Sequence, residues 1–130
     1  VVRYKDTDLL LVGITDPEAR RMDPNNAPDL EKALKNAPEH DVSILLAHQP
    51  SAIHAAAAQN IDVQLSGHTH GGQYWPWNVV VEWIQPYSKG LHKHGPTWIY
   101  VNRGTGYWGP PLRIAVPSEI TLIKLVRAQG

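Results

Sequence analysis

The chain reads as an α/β fold, and three observations predict it. Apolar runs of strand length lie at residues 9–14, 42–47 and 61–66. Segments of helical character at 28–35 and 51–59 separate them, and a strand–helix–strand–helix–strand alternation predicts a sheet covered by helices. The runs also end in chemistry-bearing residues, with His48 closing the second and Gly67-His68-Thr69-His70 following the third. In such sheets the strand-end loops carry the functional side chains on a rigid scaffold.

Residues 1–5 and 8–15 predict a hairpin turning at Lys5-Asp6-Thr7-Asp8. Leu9-Leu10-Leu11-Val12-Gly13-Ile14 is continuously apolar, which predicts a strand buried on both faces. Residues 16–28, rich in Pro, Asn and Asp, predict a loop. Residues 28–35 predict a short amphipathic helix with Pro28 in its first turn. Residues 42–47 form the next strand, 51–59 a helix of small residues with Ser51 as N-cap, and 61–66 a further strand. Beyond the histidine loop, Trp75-Pro76-Trp77 and Gln85-Pro86-Tyr87 break regular structure. Residues 90–94 and 97–102 predict a hairpin across Gly95-Pro96, and 112–116 with 119–126 a second across Pro117-Ser118. The sheet is therefore mixed, with antiparallel hairpins at its C-terminal end. No repeat, low-complexity tract or interdomain linker interrupts it.

With 130 residues the chain fits one domain or part of one. Twelve basic residues balance 12 acidic ones, so no basic field favours nucleic acid. The absence of Cys removes disulfides, thiolate metal sites and cysteine nucleophiles together, without fixing the compartment. No apolar run approaches the roughly 20 residues needed to span a bilayer. The first residue is Val1, already strand-like, so the chain is expected to begin inside a longer protein whose leader or anchor lies out of view.

Alternate residues of an extended chain face opposite ways, so His68 and His70 converge only if the chain turns there. Gly67, Gly71 and Gly72 are expected to supply that turn, because they have no evident packing role. Neutral imidazole is a versatile metal ligand, and a glycine-flanked His-x-His after a strand is a metal-site signature. His48 extends the pattern to a second strand end. His40 and His54 read as surface histidines, and His92 and His94 as a solvated edge beside Lys89 and Lys93.

At Leu46-Ala47-His48-Gln49-Pro50 and Leu65-Ser66-Gly67-His68-Thr69-His70-Gly71-Gly72-Gln73 the chain resembles the calcineurin-like metallophosphoesterases, particularly the bacterial, often membrane-associated branch related to YkuE and YaeI. Gly13-Ile14-Thr15-Asp16, the stretch from Val101 to Arg113, and Glu119-Ile120-Thr121-Leu122-Ile123 resemble that branch too. The resemblance implies the C-terminal half of a four-layer αββα sandwich, with residues 1–130 as the C-terminal portion of the catalytic domain. It also implies phosphoester hydrolysis in which two divalent metals (Mn, Zn or Fe) activate a bridging water. By position, His48 and His68 would bind one metal and His70 the other. Gln73 and Arg103 are weak candidates for substrate contact: Gln73 reads first as a loop hydrogen-bonder, and Arg103 equally as a residue that pins the loop. Arg113 has the same ambiguity, and Asp16 reads as a cap or as a residue behind the ligands.

The family's Asp-x-His, Gly-Asp-x-x-Asp and Gly-Asn-His-Asp/Glu segments do not occur. The bridging carboxylate, the Asn ligand and the general-acid histidine would lie in the missing N-terminal half. Three imidazoles alone predict weak or absent metal binding and an inactive fragment that self-associates or pairs with that half. The expected substrate is a phosphoester, lipid- or nucleotide-linked. The rival reading is a non-catalytic scaffold that binds a partner through the Trp-rich segment 75–108. A third is a lipid-surface protein using Trp75, Trp77, Trp83 and Tyr87.

Overall fold

The computed structural model of the chain describes residues 1–126. It contains one six-stranded sheet in the order β1-β2-β3-β4-β6-β5. Strands β1 (Val2–Tyr4) and β2 (Thr7–Gly13) form the expected hairpin, with Lys5 in the left-handed region at its tip. Strands β3 (Val42–Leu46), β4 (Val63–Ser66) and β6 (Thr97–Val101) run parallel to β2. Strand β5 (Gly90–His94) returns antiparallel along β6, as the turn at Gly95-Pro96 predicted. All four parallel strands therefore end at one edge of the sheet, and the two antiparallel strands flank them.

Helices α1 (Leu30–Leu34) and α2 (Ile53–Ala58) bury Leu30, Ile53 and Ala56 against one sheet face. That face presents Leu10, Val12, Leu45, Ile99 and Val101 and forms the core. Pro28 precedes α1 rather than opening it. Asp29 is the cap, its carboxylate accepting from Lys32 N at 2.8 Å. Ser51 does not cap α2 either, because a 3-10 turn at Pro50–Ala52 leads directly into the helix.

The expectation that β2 is buried on both faces fails. Leu10 and Val12 are buried, whereas Leu11 is 49% exposed and Leu46, near it on β3, 47%. Register puts Leu11 beside Ile44, Ile44 beside Val63 and Val63 beside Trp98. The second face is thus apolar across four strands and carries no helix. The runs look doubly buried in sequence because both faces are apolar, but among the described residues helices cover only one, and the other is crossed only near Tyr100 by residues 119–121.

Two further expectations change. Between the breaks expected at 75–77 and 85–87 an unanticipated helix forms, α3 (Trp77–Ile84), and it takes in Trp77. No strand forms over 112–116 or 119–126, so the second hairpin is absent among the described residues. Instead this segment crosses the sheet edge and bonds singly, with Ile114 N donating to Gln73 O and Glu119 N to Gly104 O. Ile120 and Leu122 project outward, 92% and 96% exposed.

Candidate metal centre at the strand ends

The edge where β3 and β4 end brings two predicted ligands together. His48 Nε2 lies 3.2 Å from His68 Nδ1, with the rings edge to face. A buried polar relay sets this spacing. Ser66 Oγ donates to Ala47 O at 2.7 Å and accepts from Gln64 Nε2 at 2.8 Å. Gly67 N then donates to His48 O at 3.1 Å. The polar residues of Val63-Gln64-Leu65-Ser66 therefore point inward, where their hydrogen bonds stitch one histidine loop to the other.

The backbone turns in an unexpected way. Gly71 and Gly72 have positive φ, as anticipated, but so do His68 (φ 69°), His70 (φ 50°) and Gln73 (φ 61°). Gly67 does not. The histidines themselves adopt the left-handed conformation, at a cost on the order of 1–3 kcal/mol each. The glycines have a packing role after all. A Cβ on Gly71 would stand 2.8 Å from the Arg103 side chain, and one on Gly72 would stand 2.1 Å from Asn78 Cα. The loop is pressed between α3 and the segment after β6.

Burial pushes the His68 ring below the ordinary histidine value; His48 adds to this, and Asp16 and Glu18 pull weakly the other way. His70 is also lowered, by burial first and then by the Arg113 guanidinium, against a hydrogen bond to the Gly106 carbonyl. Both rings therefore give up a proton more readily than an ordinary histidine. Arg113 Nη2, a donor with no lone pair, lies 3.3 Å from His70 Nδ1, so Nδ1 accepts from it rather than standing free.

Two nitrogens bound to one cation at about 2.0–2.1 Å lie roughly 2.9–3.4 Å apart, and the His48–His68 separation falls in that range. The same spacing is that of an N–H···N hydrogen bond between the two rings, so the distance alone admits either a shared ion or a ring-to-ring bond. His70 is not in that pair. Its Nδ1 sits 3.3 Å from Arg113 Nη2, and among the described residues no group of three or more His, Cys, Asp or Glu is arranged to enclose a metal.

The other candidates resolve differently. Gln73 is 2% exposed, and its amide is consumed by the loop. Nε2 donates to Trp108 O at 2.9 Å and Pro110 O at 3.0 Å, while Oε1 accepts from Trp108 N at 2.6 Å. Arg103 pairs through Nε with Glu119 at 2.5 Å, so that nitrogen faces a carboxylate rather than the cleft. Asp16 caps the following turn, accepting from Glu18 N at 2.8 Å and from Gln49 Nε2 at 3.1 Å. The second contact ties the end of β2 to the residue after His48. Arg113, ambiguous in the sequence, proves to be a hub. It donates to the carbonyls of Arg103 and Gly106 at 2.7 Å and of His70 at 3.3 Å. His92 and His94 pack with Tyr87, whose hydroxyl lies 3.1 Å from His94 Nδ1. This removes Tyr87 from any exposed aromatic surface.

The fold is a mixed α/β sheet with histidines at the carboxyl ends of its parallel strands, and comparison with known sequences gives it a family. The chain belongs to the metallophosphoesterases. It is 48% identical over 118 residues to an uncharacterized metallophosphoesterase of Helicobacter pylori, covering 89% of this chain and 32% of that protein. It is 44% identical over 124 residues to a transmembrane protein with metallophosphoesterase domain of Danio rerio, covering 92% of this chain and 28% of that protein. It is 40% identical over 103 residues to the uncharacterized metallophosphoesterase YkuE of Bacillus subtilis, covering 75% of this chain and 36% of that protein. The chain thus spans about a third of the length of the curated relatives it matches, and those relatives are not confined to bacteria. No protein-family model and no solved structure matches it.

Proposed function

We propose that this chain is the histidine-bearing portion of a metal-dependent phosphoester hydrolase. The observation that carries this is the 3.2 Å His48–His68 nitrogen pair at the ends of adjacent parallel strands, in a chain related to metallophosphoesterases. Divalent cations held there would polarise a phosphoester and activate water for attack. The chain's own contribution is to aim His48 and His68 at one point and to hold His70 beside them through Gly106 and Arg113. His70 is the ligand to a second cation, and the remaining ligands, including every carboxylate that would hold two cations together, come from sequence outside this chain. The 130 residues alone are therefore inactive, and their bare sheet face drives them to self-associate or to pair with the rest of the domain.

The test is turnover of a chromogenic phosphodiester with added Mn²⁺, by the isolated chain and by a polypeptide of the relatives' full length that carries it. The longer polypeptide should turn over and the isolated chain should not; activity in the isolated chain defeats the claim that it is incomplete.

A scaffold reading has one observation in its favour, namely that Trp75, Trp83 and Trp108 are 74%, 82% and 61% exposed. Metal content separates the two. Two metal ions per full-length polypeptide support hydrolysis, and none supports the scaffold.

A further inference from the structure

A cleft of about 320 Å³ opens directly from the histidine loop, and its far wall has a different chemistry from its floor. The floor is His48, His68 and His70. The wall is Trp77, Val81 and Ile84 of α3, faced by Trp108. The two indoles lie near-parallel, 11° between planes with centroids 6.1 Å apart. Gln73 holds Trp108 in place through both its backbone N–H and its carbonyl, so the wall is set by the same loop that sets the histidines.

Among the described residues, no Lys, Arg, Asp or Glu lines this cleft. Two of its non-histidine polar side chains are spent within the protein. Gln73 is consumed by Trp108 and Pro110, and Thr69 Oγ1 donates to Ser88 O at 2.6 Å. Gln85 Oε1 is buried there without a partner, and among the described residues its Nε2 and the indole N–H groups of Trp77 and Trp108 make no hydrogen bond either. A nucleobase offers several donors and acceptors on one edge, and the Gln85 amide and two indole N–H groups answer only part of them against the apolar wall of Val81, Ile84 and the indole faces, so the rest would be enclosed at a cost in affinity. A second phosphate would need a cation. An aliphatic chain needs neither, and gains by leaving water.

From this we infer that the phosphoester taken by this site carries a long aliphatic group, seated between the Trp77–Trp108 pair and Ile84 with its phosphate over the histidines. This rests on the hydrolase reading above and adds the substrate class. Ile84 is 66% exposed at the cleft rim, so a chain longer than the cleft runs out across it.

The experiment uses the full-length polypeptide with Mn²⁺ and a series of alkyl p-nitrophenyl phosphodiesters, so the leaving group stays constant while the other ester lengthens. The kcat/KM should rise at least about tenfold from methyl to octyl, well within the roughly fourfold per methylene that complete burial allows. Trp108→Ala and, as a rim variant whose exposure makes misfolding a poor explanation, Ile84→Ser should each collapse the octyl-to-methyl ratio toward one. A flat series, a nucleoside p-nitrophenyl phosphodiester outperforming the octyl ester, or a ratio untouched by both variants overturns the inference. Presenting the octyl ester free or in phosphatidylcholine vesicles separates a soluble substrate from a membrane-resident one. If no ester turns over, the hydrolase reading has failed. Calorimetric titration with octyl phosphate against methyl phosphate then decides the cleft alone, where equal affinities overturn it and tighter octyl binding supports it.

Discussion

Gly72 cannot become alanine without moving α3. Its φ is +77°, and the added Cβ would stand 2.1 Å from Asn78 Cα, a backbone atom. Gly72→Ala should therefore cost at least about 2 kcal/mol in urea denaturation; an unchanged midpoint would mean the loop does not pack as described. For the full-length polypeptide, His48→Ala or His68→Ala should reduce metal affinity at calorimetry by more than the roughly 10–100-fold that loss of an outer partner causes. Arg113→Ala should fall within that smaller range, because it holds His70 rather than binding metal. Both His68 and His70 titrate below the ordinary histidine value, and imidazole must be neutral to ligate. Metal affinity should then hold steady as pH falls to about 6.5 and decline below it; affinity unchanged at pH 4 would exclude these rings as ligands. The histidines were legible because glycine-flanked His-x-His after an apolar run is a metal-site pattern that local sequence carries whole. The left-handed conformation of the histidines was not, since glycine was the expected carrier of positive φ.

The end of β6 is held by charge rather than by strand pairing. Glu119 receives hydrogen bonds from Tyr100 Oη, from Arg103 Nε at 2.5 Å and from Thr121 Oγ1 at 2.7 Å. Burial alone would raise the carboxyl, but these donors and the Arg103 charge outweigh it and hold it at about 2. A carboxylate depressed in the folded state adds stability that is complete above its unfolded value near 4.5 and fades as pH falls toward 2. The melting temperature should drop across that window, and Glu119→Gln should flatten the drop while lowering stability at pH 7. Equal pH dependence in both proteins would remove Glu119 from the account. The strands ending in histidine and the β5–β6 hairpin could be read from alternation and turn chemistry. Helix α3 could not, because Val79-Val80-Val81 has strand propensity and its helix is stabilised by contact with the histidine loop. The absent second hairpin has the opposite cause. Its residues alternate as a strand should, but Ile120 and Leu122 find no sheet to face.

At the scale of the whole molecule, the sheet has one helix-covered face and one bare face. The α/β class and the alternation of the first strands and helices followed from the sequence, since apolar period and loop composition are local properties. Which face is covered is not local, and so the strands read as doubly buried. A bare apolar face over four strands favours association. The isolated chain should elute as a dimer or larger species at micromolar concentration, and Leu11→Lys with Leu46→Lys should shift it toward monomer by light scattering. A monodisperse unsubstituted monomer would show the face to be tolerated in water.

This two-sided strand pattern also makes stability in isolation a biased witness. A saturation mutagenesis screen on the 130 residues would score Leu10, Leu45 and Ile99 as intolerant and Leu11, Leu46 and Trp98 as permissive. The same screen on a longer polypeptide that covers the second face would turn the latter three, and not the former, from permissive to intolerant. The difference between the two fitness maps would trace, residue by residue, the footprint of whatever covers that face.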